Sequence, residues 1–99
     1  MTKTDLIDMV AEETGLTKKD TKKTIDATFE TIMEYLGEEA KKAEDNRDNV
    51  QIIGFGTFEA RDRAERKGRN PQTGEDITIP ERTVPTFRYG KTFKESVNN

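Results

Sequence analysis

Ninety-nine residues, 30% of them hydrophobic and 37% charged, with no cysteine, make one small domain with a thin core and no disulfide to staple it. Lacking histidine as well, the chain has no Cys/His nucleophile, histidine general base or zinc site of the usual kind, and no apolar run approaches the roughly 20 residues of a membrane helix. A net charge of −3 speaks against a polyanionic partner only until its distribution is read: residues 1–60 hold 8 Lys+Arg against 14 Asp+Glu, and residues 61–99 hold 9 against 6.

In chain order, Thr4 is expected to cap a first helix, with Asp5 and Asp8 in its opening turns, where the helix dipole favours negative charge. Leu6, Ile7, Val10 and Ala11 form its apolar stripe, and Gly15 supplies the stop. Thr17 with Asp20 resembles a capping box that starts a second helix, along which Ile25, Phe29, Ile32, Leu36 and Ala40 recur at helical spacing beside Met33. The two helices have a helix–turn–helix shape, but the face a recognition helix would use carries Asp20, Asp26, Glu30 and Glu34, so they read as scaffold. From Gly37 to Asn49 the chain turns polar and acidic, which predicts a longer second helix and a solvated turn; a partner-binding acidic patch is the sharper alternative. The adjacent carboxylates Glu38-Glu39 and Glu44-Asp45 lie on this lysine-bearing segment and read as a solvated face, not as an acid–base or metal site.

Val50 to Ile53 reads as a short strand, and Gly54 and Gly56 bracket Phe55 where backbones must approach closely. This loop lacks the lysine and Ser/Thr of a phosphate-binding loop. Phe55 and Phe58 are expected beneath the sheet. Thr57–Arg61 and Ile77–Pro80 are strand-like and flank Arg66 to Gly74, where Asn70-Pro71 and Thr73-Gly74 reverse the chain. The two strands form an arm whose tip is expected to have no apolar face. Arg61 and Arg63, two apart, share one face of a strand, and Ala60, Asp62 and Ala64 fall on the other. Arg66, Lys67 and Arg69 crowd the acid-free tip; Arg82 to Arg88 returns as the third strand. Asp62, Glu65, Glu75, Asp76 and Glu81 dilute the arm's charge. Lys91 to Val97 is expected as a last helix with Phe93 and Val97 inward. The order is ααβββα, an α+β fold. Cations set out along such an arm suit a polyanion, because each one placed at a phosphate releases a condensed counterion.

Three stretches, Ile53-Gly54-Phe55-Gly56-Thr57-Phe58, Gly68-Arg69-Asn70-Pro71-Gln72-Thr73-Gly74 and Pro85-Thr86-Phe87-Arg88-Tyr89-Gly90-Lys91, resemble in order and spacing the HU/IHF family of bacterial histone-like, DNA-bending proteins. The resemblance covers nearly the whole chain, with residues around 37–48 as an inserted segment. It implies an intertwined homodimer in which residues 1–48 are the helical dimerisation part and residues 49–99 hold the sheet, an arm over 61–86 and the C-terminal helix. It implies double-stranded DNA as partner, held in the minor groove with low sequence specificity and bent, by Arg61, Arg63, Arg66, Lys67, Arg69, Asn70, Pro71, Gln72, Arg82, Arg88 and Lys91. Pro71 would wedge between base pairs, Asn70 would offer its amide to minor-groove acceptors, and arginines would gain from the negative potential of a narrow groove. The same resemblance implies no enzyme, cofactor, metal, small-molecule substrate or membrane, and a cytoplasmic, nucleoid-associated protein. Two alternatives stand beside it. One is a site-preferring IHF-like factor, a flavour carried by Gly74-Glu75-Asp76-Ile77 and Val84-Pro85-Thr86-Phe87. The other is an acidic interaction module or DNA mimic, against which the basic tip with Pro71 speaks.

Overall fold

Helix α1, Lys3–Thr14, opens the computed structural model, which describes residues 1–98. Its cap is Thr2 and not Thr4. The Asp5 N–H donates to Thr2 Oγ1 at 3.3 Å, and the Thr2 N–H donates to Asp5 Oδ2 at 2.9 Å. A carboxylate three residues on decides the choice: Thr2 has Asp5 there to return the bond, whereas Thr4 has Ile7. The helix ends at Gly15, and helix α2, Lys18–Glu39, starts behind Thr17, whose hydroxyl accepts from the Asp20 N–H at 3.1 Å as expected.

The chain divides into two compact units. In the first, Met1–Glu34, Ile7 and Ala11 are buried, and Leu6 and Val10 are half-buried. Thr21 is buried too, its hydroxyl donating to the Thr17 carbonyl at 2.8 Å. Asp26 draws Lys3 from α1 and Lys22 from its own helix, the latter at 2.8 Å. On the apolar stripe of α2, Ile25 and Ile32 are half-buried in this unit, while Phe29 and Met33 are exposed.

The second unit, from Tyr35 onward, is built on an antiparallel sheet of order β1-β2-β5, with β1 Val50–Ile52, β2 Gly56–Arg63 and β5 Arg82–Tyr89. Phe58 pairs with Val50 on one side and Phe87 on the other. Gly56 stands where a Cβ would lie 2.5 Å from both the Arg88 carbonyl oxygen and the Phe87 ring, so no larger residue fits. Phe55, Phe58, Phe87 and Phe93 form an aromatic cluster, the closest ring centroids 4.8 Å apart. Helix α3, Lys91–Val97, contributes Phe93, stacked on Phe55. Val97, expected inward, is on the side of Phe93 but exposed, because the apolar groove it lines with Phe87, Tyr89 and Phe93 is open in the single chain.

Past Arg63 the hairpin continues as a separate ladder, β3 Arg66–Arg69 with β4 Asp76–Ile79. The expected third strand, Arg82 to Arg88, is β5, and the strand-like stretch before it is β4, which stops at Pro80, a residue with no N–H to give the ladder. In the acidic segment the second helix does run on to Glu39, and the turn that follows is solvated as expected, with residues 41–46, Asp48 and Asn49 exposed; the exception is the Arg47 side chain, buried behind a 3₁₀ turn at Glu44–Asn46. No helix among the described residues is long and apolar enough to cross a membrane.

Candidate nucleic-acid interface

Strand alternation and register together assemble the cations. Thr57 faces Arg88, Glu59 faces Thr86, Arg61 faces Val84 and Arg63 faces Arg82. Side chains alternate along each strand, so Arg61, Arg63, Arg82 and Arg88 all lie on one face of the β2–β5 ribbon. Phe58, Ala60, Pro85 and Phe87 lie on the other. Arg63 and Arg82 stand directly opposite each other, an arrangement of like charges that weakens a sheet. A polyanion laid across them removes that repulsion. With Arg66 they line a cleft of about 450 Å³ whose other walls are Ala64, Ile79, Pro80, Val84 and Pro85, and no carboxylate lines it.

Acids shape the rest of the face. Glu59 lies between Arg61 and Arg88 and is largely buried; one carboxylate oxygen takes the Arg88 guanidinium and the other lies 3.5 Å from that of Arg61. The inner end of the cationic face is therefore neutralised from within, and free positive charge is shifted outward to Arg63, Arg66 and Arg82. Sequence reasoning passed over Glu59, although its spacing of two from Arg61 on a strand was the available signal. Asp62, which reads in sequence as diluting the arm, is on the opposite face, where it accepts from the Thr83 hydroxyl at 2.8 Å and meets Arg47 at 2.9 Å. The Thr83 hydroxyl first, and then the Arg47 guanidinium, hold its carboxyl below the usual aspartate range.

Nearer the tip, Lys67 and Arg69 share a face with Thr78 and Asp76, while Arg66 and Gly68 share the other with Ile79 and Ile77. The arm does have a small apolar side, contrary to expectation. A Cβ on Gly68 would lie 3.2 Å from Ile79 Cδ1 and 3.7 Å from Ile77 Cγ1, so both isoleucines cover the glycine. The alternation in Asp76-Ile77-Thr78-Ile79 puts them together. At the apex, Asn70 organises the loop: its N–H donates to the Glu75 carbonyl at 2.8 Å, its carbonyl accepts from the Gly74 N–H at 2.7 Å, and its side-chain Oδ1 accepts from the Gln72 N–H at 2.9 Å. The last bond is an Asx turn, for which asparagine is suited. Gly74 closes the loop at φ 74°, a left-handed conformation that favours glycine. Pro71 and Gln72 are exposed at the apex. The Oδ1 of Asn70 is spent on the turn, but its amide N–H donors have no partner among the described residues and remain for a ligand. Lys91 stands apart: it follows the inner end of β5, away from the tip, highly exposed and 3.9 Å from Glu95.

The family model for bacterial DNA-binding proteins matches residues 1–98. DNA-binding protein HU of Geobacillus stearothermophilus is 54% identical over 97 residues, which cover 98% of this chain and 99% of that protein. DNA-binding protein HU 1 of Bacillus subtilis is 50% identical over 97 residues, covering 98% and 97%. Among solved structures, an Anabaena HU–DNA cocrystal structure is similar at a TM-score of 0.86 and 42% identity, over 98% of this chain and 97% of that one.

Proposed function

The chain belongs to the HU family of bacterial DNA-binding proteins, which is not a family of enzymes, and we propose that it is a homodimeric architectural protein that binds duplex DNA in the minor groove and bends it with little regard for sequence. The observation that carries this reading is the four-arginine face of the β2–β5 ribbon, continued by the Arg66 cleft and ending in an exposed proline. Cations spaced along an extended ribbon match a line of phosphates and read no base edges. In minor-groove architectural proteins, HU among them, apolar wedges unstack base steps and kink the duplex. What supports that role for Pro71 is that it is rigid, apolar and exposed at the apex, next to the Asn70 turn. The resemblance of the Anabaena HU, solved with DNA, supports the same partner.

Dimerisation follows from what the single chain leaves bare. Among the described residues the buried hydrophobic side chains are Ile7, Ala11, Leu36 and Ala60, while Phe29, Met33, Ile53 and Tyr89 are exposed. Four residues do not make a sufficient core for a chain of this length. A second copy supplies the missing cover by symmetry, with the helical part, residues 1–48, together with the bare apolar residues at the inner end of the sheet, Ile53 and Tyr89, carrying the contact and an arm projecting from each copy. Binding to the chromosome would place the protein in the nucleoid.

The groove assignment has a direct test. Small ligands that fill the minor groove of A·T tracts should displace the protein from a duplex, whereas methylation of guanine N7 in the major groove should leave affinity unchanged. Unlabelled duplex of unrelated sequence should compete nearly as well as the probe. Sensitivity to the major-groove modification, or a strong preference among competitors, contradicts the reading.

A further inference from the structure

Residues 40–49 take no part in the cationic face, yet they contain a buried cation. The Arg47 side chain is 7% exposed. Its Nε donates to the Lys42 carbonyl at 2.9 Å, Nη2 to the Ala40 carbonyl at 3.1 Å and Nη1 to the Ala60 carbonyl at 3.2 Å, while Nη2 also meets Asp62 Oδ1 at 2.9 Å. A guanidinium presents its donors in a rigid planar fork, so three carbonyls and a carboxylate fix it in one orientation.

Ala60 and Asp62 belong to an edge of β2 that β1 leaves open, since β1 pairs only with Gly56 to Phe58. Backbone groups along an antiparallel strand face alternate sides. Those of Ala60 and Asp62 face away from β5, which is why Pro85, without an N–H, can stand opposite Ala60. Bare groups on such an edge invite stray pairing or fraying. Arg47 takes the Ala60 carbonyl, and Glu44 Oε2 accepts from the Asp62 N–H at 2.7 Å. The segment is anchored in turn. The buried Glu39 accepts from the Asp48 N–H at 2.7 Å and pairs with Lys42 at 2.7 Å, and the Tyr35 hydroxyl donates to Asp48.

We propose that residues 40–49 are a clip that closes the open edge of β2 at the root of the arm, and that Arg47 is the positioning residue setting the direction in which the arm leaves the sheet. The proposal deepens the DNA-bending reading and rests on it for its consequence. Arg47 is buried against the β2 edge beside Asp62, on the face opposite Arg61 and Arg63, so it acts through the arm's root and meets no phosphate. An arm held at its root loses less freedom when it closes on a duplex, and preorganisation of this kind favours a defined bound geometry.

Two measurements test the clip. Amide hydrogen exchange on the free protein reports the Asp62 N–H directly, and energy transfer between dyes at the ends of a short duplex reports the bend at saturating protein. Arg47→Ala removes the clip outright. Because orphaning Asp62 can unfold the chain, Glu44→Ala, at a partly exposed side chain, frees the Asp62 N–H and gives up only a 3.9 Å pairing with Arg47 besides, and Arg47→Lys keeps the charge without the fork. We expect Asp62 exchange at least tenfold faster in Glu44→Ala and in Arg47→Ala, a shallower and broader bend in the same variants, little rescue by Arg47→Lys, and an unchanged salt slope. Unaltered exchange in Glu44→Ala overturns the clip. A salt slope reduced by about two units in Arg47→Ala, one for each copy, overturns the positioning role, because Arg47 would then meet a phosphate. If the parent protein fails to bend DNA, the DNA-bending reading fails while the exchange result still decides the clip.

Discussion

Ile53 offers the sharpest perturbation of the proposed assembly. It sits between β1 and β2 and is 95% exposed in the single chain, so truncating it to alanine removes almost no intramolecular burial. An exposed substitution of that kind alters stability by about 0.5 kcal/mol or less. In a homodimer that buries Ile53, the change is felt twice. Burying a large aliphatic side chain contributes about 1.5–3 kcal/mol, and truncation of a buried isoleucine to alanine costs about 2 kcal/mol at the low end. Two copies give about 4 kcal/mol, and with about 1.4 kcal/mol per decade the dimer dissociation constant should rise by about three decades. Sedimentation equilibrium over a wide concentration range measures that constant. The concentration dependence of Tm is an independent readout, since association raises apparent stability by mass action. Ile77→Ala is the control: it is also an exposed isoleucine, but it lies near the arm tip and should leave the constant unchanged. A dissociation constant for Ile53→Ala within a few-fold of the parent, or a parent that stays near 11.3 kDa at every concentration, refutes the reasoning.

Grip and bending should separate by mutation. Pro71→Ala should leave the salt slope nearly unchanged but reduce the bend seen by energy transfer, because alanine offers little apolar surface against an unstacking cost of about a few kcal/mol per step. Arg69→Ala should instead weaken binding and flatten the slope by about two units, one for each copy in the dimer; equal bending by Pro71→Ala and the parent reduces Pro71 to a turn residue. Stability should be flat from neutral pH down to about 5 and fall below about 4. The carboxyls of Asp26 (held by Lys22, then Lys3), Glu39 (Lys42, then the Asp48 N–H), Asp48 (Tyr35, then the Asn49 N–H) and Asp62 are all depressed in the folded state. Groups with depressed values contribute stability above their unfolded values and lose it as pH falls through their folded ones, so a Tm that holds constant down to pH 3 contradicts these pairings.

What was legible in the sequence was local. Helical spacing gave both long helices, alternation gave Arg61 and Arg63 on one face, and Asn70-Pro71 with Gly74 gave the reversal. The capping box Thr2-x-x-Asp5 was also written there, but Thr4 stands equally close to the first apolar residues and obscured it. What escaped depends on pairing between distant strands. Arg63 against Arg82, and Arg88 joined to the same face, follow from a register that no window of sequence contains. Glu59 neutralises two of the expected contacts because the strand folds it between them. Arg47 looks like one more charge in a polar run; only closure of the chain from residue 47 to residues 60–62 turns it into a buried clasp. Val97 was misplaced for the opposite reason: helical spacing from Phe93 is satisfied, but nothing in its own unit covers that turn.

The salt dependence of affinity tests the central claim most directly. The cleft at the arm holds Arg63, Arg66 and Arg82 free of carboxylates, so a dimer that lays both arms on a duplex brings about six cations to phosphates from the cleft alone, and the slope of log K against log salt should be about −5 or steeper once Arg69 is added. Between 50 and 200 mM salt, affinity for random-sequence duplex should then fall by about three decades. Replacing Arg63 and Arg82 together by alanine removes about four cations per dimer and should make the slope shallower by about 3.6 units, while leaving the fold intact, since the pair repels in the free protein. A slope near zero, or no binding at 50 mM salt, contradicts the account.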